Sequence, residues 1–312
     1  MALDALPALS LRDQRADPQG FARAMGQSYA RFGFAIVRDH GLDADAILRA
    51  NRAMKAFFAL PLDVKMKYRL EGGAGQRGYV PLKQETAKGA PSADLKEFLH
   101  VGRELDADHR YRALMPANLW PREVPGFRQD LLALYHALDA IGGELLTSIA
   151  LFLGLKPGYL TGAVKDGDSV LRLLHYPPMA PNPDGVRAGA HEDINVITLL
   201  LGAEEAGLQL MTREGSWLDI NPPDGALVVN IGDMLSRLTN ELLPSTTHRV
   251  VNPGADRAHL ARYSIPFFLH FAPDFLIETA PPCISGENPN RYPTPITARD
   301  FLFERLREIK LA

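Results

Sequence analysis

Three side chains in this sequence have the right types to hold a metal. They are His191 and Asp193 in Gly189-Ala190-His191-Glu192-Asp193-Ile194-Asn195, and His248 in Ser245-Thr246-Thr247-His248-Arg249-Val250. Two imidazoles and one carboxylate take one face of a metal and leave the opposite positions open, the donor set of non-haem iron(II) oxygenation. Residues two apart on extended backbone project to the same side, so His191 and Asp193 can act together. Arg262-Tyr263-Ser264 follows the same rule, which places a guanidinium and a hydroxyl on one side where they could grip a carboxylate. An arginine amid the apolar neighbours of this run is costly to bury unless an anion meets it, and either a ligand or an internal acid would serve. From Ser169 to Pro178, alternation groups Arg172, Leu174 and Tyr176. The Tyr176 hydroxyl could add a third donor to a bound acid, or the ring could simply be core. Taken alone, His191-Glu192-Asp193 also suits a solvated turn; a triad and an anion clamp in one chain are a stronger signal than either. His40, His100, His109, His136, His175, His259 and His270 lack a companion carboxylate and read as ordinary histidines.

The elements that must position these groups fall into two textures. Residues 18–31 read as a helix on the spacing of Phe21, Met25 and Tyr29, followed by a strand over Phe32–Val37. Asp43 caps a second helix running to about Leu60, and Pro61 opens another short helical piece. The glycine-rich stretch Glu71–Tyr79 follows a helix and lacks a Gly-Lys-Ser ending, so it reads as a flexible surface loop rather than a phosphate loop. From Val124 to Leu155, Phe127, Leu131, Leu134, Leu138, Ile141, Leu145, Ile149 and Phe152 keep helical spacing and predict a long buried helix. Beyond residue 165 the chain turns to short β-rich runs: Ser169–Tyr176, Asn195–Leu201, Leu208–Thr212, Trp217–Ile220, Ala226–Ile231, Thr246–Val251 and Ala258–Phe271. Short strands without intervening long helices predict a closed or sandwiched antiparallel structure. Helices of the first half and the segment around Phe301–Ile309 are left to buttress it.

The bulk numbers bound the function. No long polar linker divides the 312 residues, so one unit is expected. With 46% hydrophobic and 23% charged residues, the chain can build a substantial core. The formal charge of −3, without a concentrated basic run, argues against nucleic acid and anionic membrane as partners. A single cysteine, Cys283, excludes an intramolecular disulfide and cysteine-based metal sites. No signal-like segment or spanning apolar run stands out, so a cytoplasmic setting is expected.

At this point the motifs resemble a known family. The block Gly225–Asn240 and then Ser245–Val251 resembles the most recognisable segment of the isopenicillin N synthase-like iron(II)/2-oxoglutarate-dependent oxygenases. Arg31-Phe32-Gly33-Phe34, Asp39-His40-Gly41, Arg77-Gly78-Tyr79 and Asp94-Leu95-Lys96-Glu97 match its landmarks in order, and Arg172–Pro178 resembles its Arg-x-Asn-x-Tyr-Pro-Pro string. The resemblance implies an α+β fold with a mainly β core, a distorted double-stranded β-helix (jelly roll) buttressed by helices. It implies a single oxygenase domain over 1–312, with a mostly helical part at 1–165, a jelly-roll core holding the metal site at 166–280 and a C-terminal segment at 281–312. Carried over residue by residue, it implies that His191, Asp193 and His248 hold Fe(II). It likewise implies that Arg262, Ser264 and Tyr176 hold the distal carboxylate of 2-oxoglutarate, with O2 taking the last position on the metal. The implied activity couples oxidative decarboxylation of 2-oxoglutarate to hydroxylation, desaturation or ring formation on a small molecule. Ethylene and succinate formation, an oxidase using no 2-oxo acid, and a non-catalytic metal-binding module are the alternatives. Leu174 departs from the asparagine of many plant members, which points towards bacterial relatives. The substrate pocket falls to variable segments, with 76–88 and 268–291 as candidates; oligomeric state is left open.

Overall fold

The computed structural model describes residues 6–73, 75–85, 93–179, 185–201 and 207–308. The first half runs β1 (Ala8–Ser10), α1 (Leu11–Ala16), α2 (Pro18–Phe32), β2 (Phe34–Arg38), α3 (Ala44–Phe58), α4 (Leu62–Met66), β3 (Gly78–Val80), β4 (Glu97–Gly102), α5 (Phe127–Phe152) and α6 (Tyr159–Val164). Strands then dominate: β5 (Val170–Tyr176), β6 (Ala188–His191), β7 (Ile197–Leu201), β8 (Leu208–Met211), β9 (Trp217–Asp219) and β10 (Leu227–Ile231). After α7 (Asp233–Leu238) come β11 (His248–Val250), β12 (Arg262–Ser264), β13 (Pro266–Leu269), β14 (Leu276–Ile277), β15 (Ile296–Thr297) and α8 (Ala298–Glu308).

Local chemistry accounts for the helix limits. Asp17 caps α2 by accepting from the Gly20 N–H at 2.9 Å, Pro18 sits where a missing N–H costs nothing, and Gly33 ends the helix at φ 68°. Asp43 caps α3 by accepting from the Asp45 N–H. The long periodic segment is α5, whose Leu131, Leu134, Leu138, Leu145 and Ile149 are fully buried. Gly142 brings this helix against the Leu269 side chain, where a Cβ would stand 3.0 Å from Leu269 Cδ2.

Nine strands form the larger sheet in the order β1-β2-β10-β7-β13-β5-β4-β3, with β12 also paired to β5, and every pairing but β1–β2 is antiparallel. A second sheet runs β6-β11-β8-β9. Helices α2, α3 and α5 cover one face of the larger sheet and enclose the main core. Its other face meets the second sheet, and the two leave a cavity between them, lined from both. This is a jelly-roll core with helical support.

Two expectations change. The predicted run Ala258–Phe271 divides into β12 and β13, because Pro266 cannot donate to a ladder and β12 pairs with β5 alone while β13 lies between β5 and β7. The loop expected through Tyr79 ends earlier: Gly78–Val80 is a buried strand that, with β4, extends the sheet. Strand β4 has every residue buried, the polar side chains of Glu97 and His100 included, so it carries no alternation to read.

Candidate active site

His191 closes β6 and His248 opens β11, and the two are direct partners across the antiparallel pair, with a bulge between His248 and Val250. Asp193 lies just beyond β6, where its carbonyl accepts from the Asp233 N–H at 2.7 Å. The ligand-type atoms of all three residues fall within 4.8 Å of one another. His191 Nε2 stands 3.9 Å and His248 Nε2 3.8 Å from Asp193 Oδ1. These gaps are too long for hydrogen bonds. A cation making bonds of roughly 2.0–2.2 Å to imidazole nitrogen and carboxylate oxygen would bridge them.

Hydrogen bonds behind the three groups fix their orientation. A backbone carbonyl can only accept, so the contacts of His191 Nδ1 with Gly189 O (2.7 Å) and of His248 Nδ1 with Thr246 O (3.0 Å) put the proton on Nδ1. Each Nε2 lone pair is thereby left for a metal. Burial, together with His248 beside it, pushes His191 down to about 4, so its imidazole is neutral at physiological pH. Asp193 Oδ2 accepts from Thr198 Oγ1 at 2.6 Å and from Asn230 Nδ2 at 2.7 Å, which leaves Oδ1 for the metal. Thr198 and Asn230 are cross-strand partners on β7 and β10, so one rung of the sheet supplies both donors. The donor set and its supports fit a divalent iron.

Arg262, Ser264 and Tyr176 line the same cavity and are buried. Arg262 pairs in register with Tyr176 across β12 and β5, and Ser264 with Leu174. The guanidinium lies over the Tyr176 ring at 5.2 Å, a cation–π contact that holds it in place. Phe98, Leu174, Ala188 and Val250 form an apolar jacket around Tyr176. Tyr263 points the other way, stacked on His175 at 4.7 Å. The structure thus gathers all six residues singled out from the sequence.

The family models agree with this arrangement. Residues 6–123 match the model described as non-haem dioxygenase in morphine synthesis N-terminal, and residues 167–271 match the 2OG-Fe(II) oxygenase superfamily. The 2-oxoglutarate-Fe(II) type oxidoreductase hxnY of Emericella nidulans is 36% identical over 284 residues, spanning 86% of this chain and 79% of that protein. The chain belongs to the 2OG-Fe(II) oxygenase superfamily. Within this family, the 2-oxoglutarate-dependent dioxygenase citB of Monascus ruber is 33% identical, with 88% and 84% of the two chains covered. A 2OG-Fe(II) oxygenase family protein from Caulobacter crescentus superposes with a TM-score of 0.91 at 54% identity, covering 98% of this chain and 99% of that one. A Neurospora crassa protein solved in complex with alpha-KG and thymine superposes with a TM-score of 0.86 at 28% identity, covering 98% of each chain. The chain is an isopenicillin N synthase-like oxidoreductase, a dioxygenase dependent on Fe(II) and 2-oxoglutarate. Among the described residues no helix is long and apolar enough to cross a membrane.

The cavity also draws on residues to which the sequence gives no metal or clamp role. Gln76, Glu85, Asp94, Lys96, His100, Arg172 and His270 line it. Of the candidate lining segments, Gln76, Glu85, Phe268 and His270 face it, while residues 86–88 lie outside the described residues. Leu302 and Leu306 of α8, expected only as buttress, reach the cavity too. His100 and His270, read as ordinary, are buried in the wall. Burial, with Arg172 beside it, holds His100 well below its usual value, and burial lowers His270, so both are neutral. The signals for these were the two candidate lining segments, which contain Gln76, Glu85 and His270, and the alternation of β5, which put Arg172 on the same face as Tyr176.

Proposed function

We propose that His191, Asp193 and His248 hold the iron, that Arg262, Ser264 and Tyr176 anchor the distal carboxylate of 2-oxoglutarate, and that the substrate oxidised is a small molecule entering the same cavity. The observation that carries this is the opening of the triad and the clamp into one space between the two sheets. When bound, iron(II) would let O2, the oxidant, take two electrons from 2-oxoglutarate, which leaves as succinate and carbon dioxide, and two from the second molecule.

The chain's own residues do the rest. Gly189 and Thr246 carbonyls hold the two imidazoles in the tautomer that offers Nε2 to the cavity. Thr198 and Asn230 keep one oxygen of Asp193 occupied, so the other faces the metal position. Arg262 offers planar N–H donors that suit a carboxylate, and Ser264 adds a hydroxyl from the same strand face. The apolar jacket excludes water from the clamp, which strengthens its attraction for an anion. The likeness to a protein solved with thymine supports a substrate of small size. A single catalytic domain spanning 1–312 follows from the same reading, because strands from both halves build the larger sheet. An intracellular, cytoplasmic setting is consistent with the lone buried Cys283.

The test is anaerobic addition of iron(II) and 2-oxoglutarate. Wild type gives a visible charge-transfer band that Arg262→Leu weakens, and oxygen then yields succinate, which Asp193→Ala abolishes. A band unchanged by Arg262→Leu would remove the clamp assignment.

A further inference from the structure

The cavity holds a second set of charged groups that neither the triad nor the clamp uses. Lys96 Nζ donates to Asp94 Oδ2 at 2.7 Å and stands 3.4 Å from Glu85 Oε1. Arg172 donates through Nη1 to Glu85 Oε2 at 3.3 Å and through Nε to His100 Nε2 at 2.5 Å. His100 Nδ1 meets the Gly75 carbonyl at 2.5 Å, so that ring is a neutral acceptor towards Arg172. The rings of Phe98 and Phe268 lie against the Arg172 guanidinium, at 4.2 and 5.0 Å. Two acids and two bases therefore sit in the wall with their formal charges balanced.

Drawing four charges largely out of water is costly, and an apolar wall would stabilise the fold as well or better. The set also retains unused bonding capacity. Arg172 Nη2 has no partner among the described residues, although guanidinium offers five donors. Glu85 meets one nitrogen at each oxygen, at 3.3 and 3.4 Å, and a carboxylate can accept about four bonds. A charged guest would find no net counter-charge here. A neutral guest with one acceptor beside one donor would satisfy both Arg172 and Glu85.

We propose that Glu85 and Arg172 are the specificity-determining pair for the oxidised substrate, and that this substrate is a small neutral molecule presenting an N–H and a C=O side by side. The inference rests on the reading of this cavity as the active site. An acyclic secondary amide is trans, so its N–H and C=O point in opposite directions and cannot reach the pair together. A lactam, a cyclic imide or a primary carboxamide presents both on one edge. Lys96, held by Asp94, pins Glu85 in place as a positioning residue; Asp94 Oδ1 is itself fixed by the Gly189 N–H at 3.0 Å, two residues before His191.

The experiment is calorimetric titration of the iron(II)-loaded protein under nitrogen. 2-Oxoglutarate is titrated first, then thymine (a cyclic imide), 1,3-dimethylthymine (its N–H groups blocked), benzamide (a primary carboxamide) and benzoate (its charged counterpart). Thymine or benzamide is expected to bind, and which of them does assigns the source of the amide edge. Dimethylthymine and benzoate are expected to bind at least on the order of tenfold more weakly. Glu85→Gln should weaken the amide probe by a similar factor and leave 2-oxoglutarate affinity unchanged, which shows that the variant is folded. Binding of 2-oxoglutarate without either amide probe overturns the proposal, as does dimethylthymine binding as well as thymine. Benzoate binding better than benzamide overturns the neutral guest. Failure of 2-oxoglutarate itself to bind removes the underlying reading instead, and this one with it.

Discussion

Thr198→Val removes one hydroxyl and almost no volume, and it tests whether the sheet orients the carboxylate proposed to bind the metal. Asp193 Oδ2 takes two hydrogen bonds, from Thr198 Oγ1 at 2.6 Å and Asn230 Nδ2 at 2.7 Å, with all three residues buried. A hydrogen bond to a charged group is worth about 1.5–3 kcal/mol. Loss of a group that supports a metal ligand costs roughly 10–100-fold in metal affinity, which is about 1.4–2.8 kcal/mol. The two scales agree, so the whole value of this bond should appear in the metal dissociation constant. Asn195 Nδ2, which also meets Thr198 Oγ1 at 3.1 Å, keeps its bond to the Ile197 carbonyl at 2.8 Å and is not stranded. The assay is anaerobic iron(II) titration of wild type and variant, with a thermal melt of the metal-free protein alongside. We expect metal affinity to fall 10–100-fold while 2-oxoglutarate turnover at saturating iron changes much less. Iron affinity within twofold of wild type would refute the reasoning.

Other expectations follow from the same geometry. Arg262→Leu should raise KM for 2-oxoglutarate on the order of tenfold to a hundredfold, since a charge-assisted pair is lost from an apolar jacket, measured by succinate formation. Glu97→Gln should destabilise the fold by about 3–5 kcal/mol in urea melts, because it leaves Lys65, 2.8 Å from the Glu97 carboxylate, as an unpaired buried charge. Burial raises the Glu97 pKa, but bonds from His175, Lys65 and Tyr79 outweigh it and hold the carboxyl low. Its stabilisation is therefore present above the ordinary carboxylate range and lost as pH falls through the depressed value, so Glu97→Gln should flatten the acid limb of stability against pH. Asp233 has the opposite sign: burial lifts it to about 6, so the native state holds its proton longer than the unfolded chain and stability declines as pH rises from about 4 to 6. Asp233→Asn should abolish that decline, read as melting temperature across pH 4–7.

Within the proposed triad and clamp, the residues two apart were legible from short-range spacing, whereas no spacing ties His248 to them. Arg262 and Ser264, and Arg172, Leu174 and Tyr176, follow the two-residue period and are delivered by β12 and β5, while Asp193, two residues after His191, lies just past the end of β6. The partners of Asp193 were not legible. Thr198 and Asn230 meet only when β7 and β10 pair, a register that neither strand encodes alone. Strand β4 was hidden by its uniform burial, and with it the rung joining His100 to Arg172. Lys65, Lys96 and Glu97 have the chemistry of surface residues, and only pairing, Lys65 with Glu97 and Lys96 with Asp94, makes them tolerable inside. The break between β12 and β13 was written in Pro266, within a run apolar enough to pass for one strand.

The direct pairing of His191 with His248 has a consequence for how the protein matures. These residues belong to neighbouring strands drawn from distant parts of the chain, so no short peptide from this sequence contains all three candidate donor groups. Nascent or half-assembled chains would let ferrous ions pass, and tight capture would mark the moment the smaller sheet zips shut. Iron uptake followed during refolding would then time the pairing of β6 with β11.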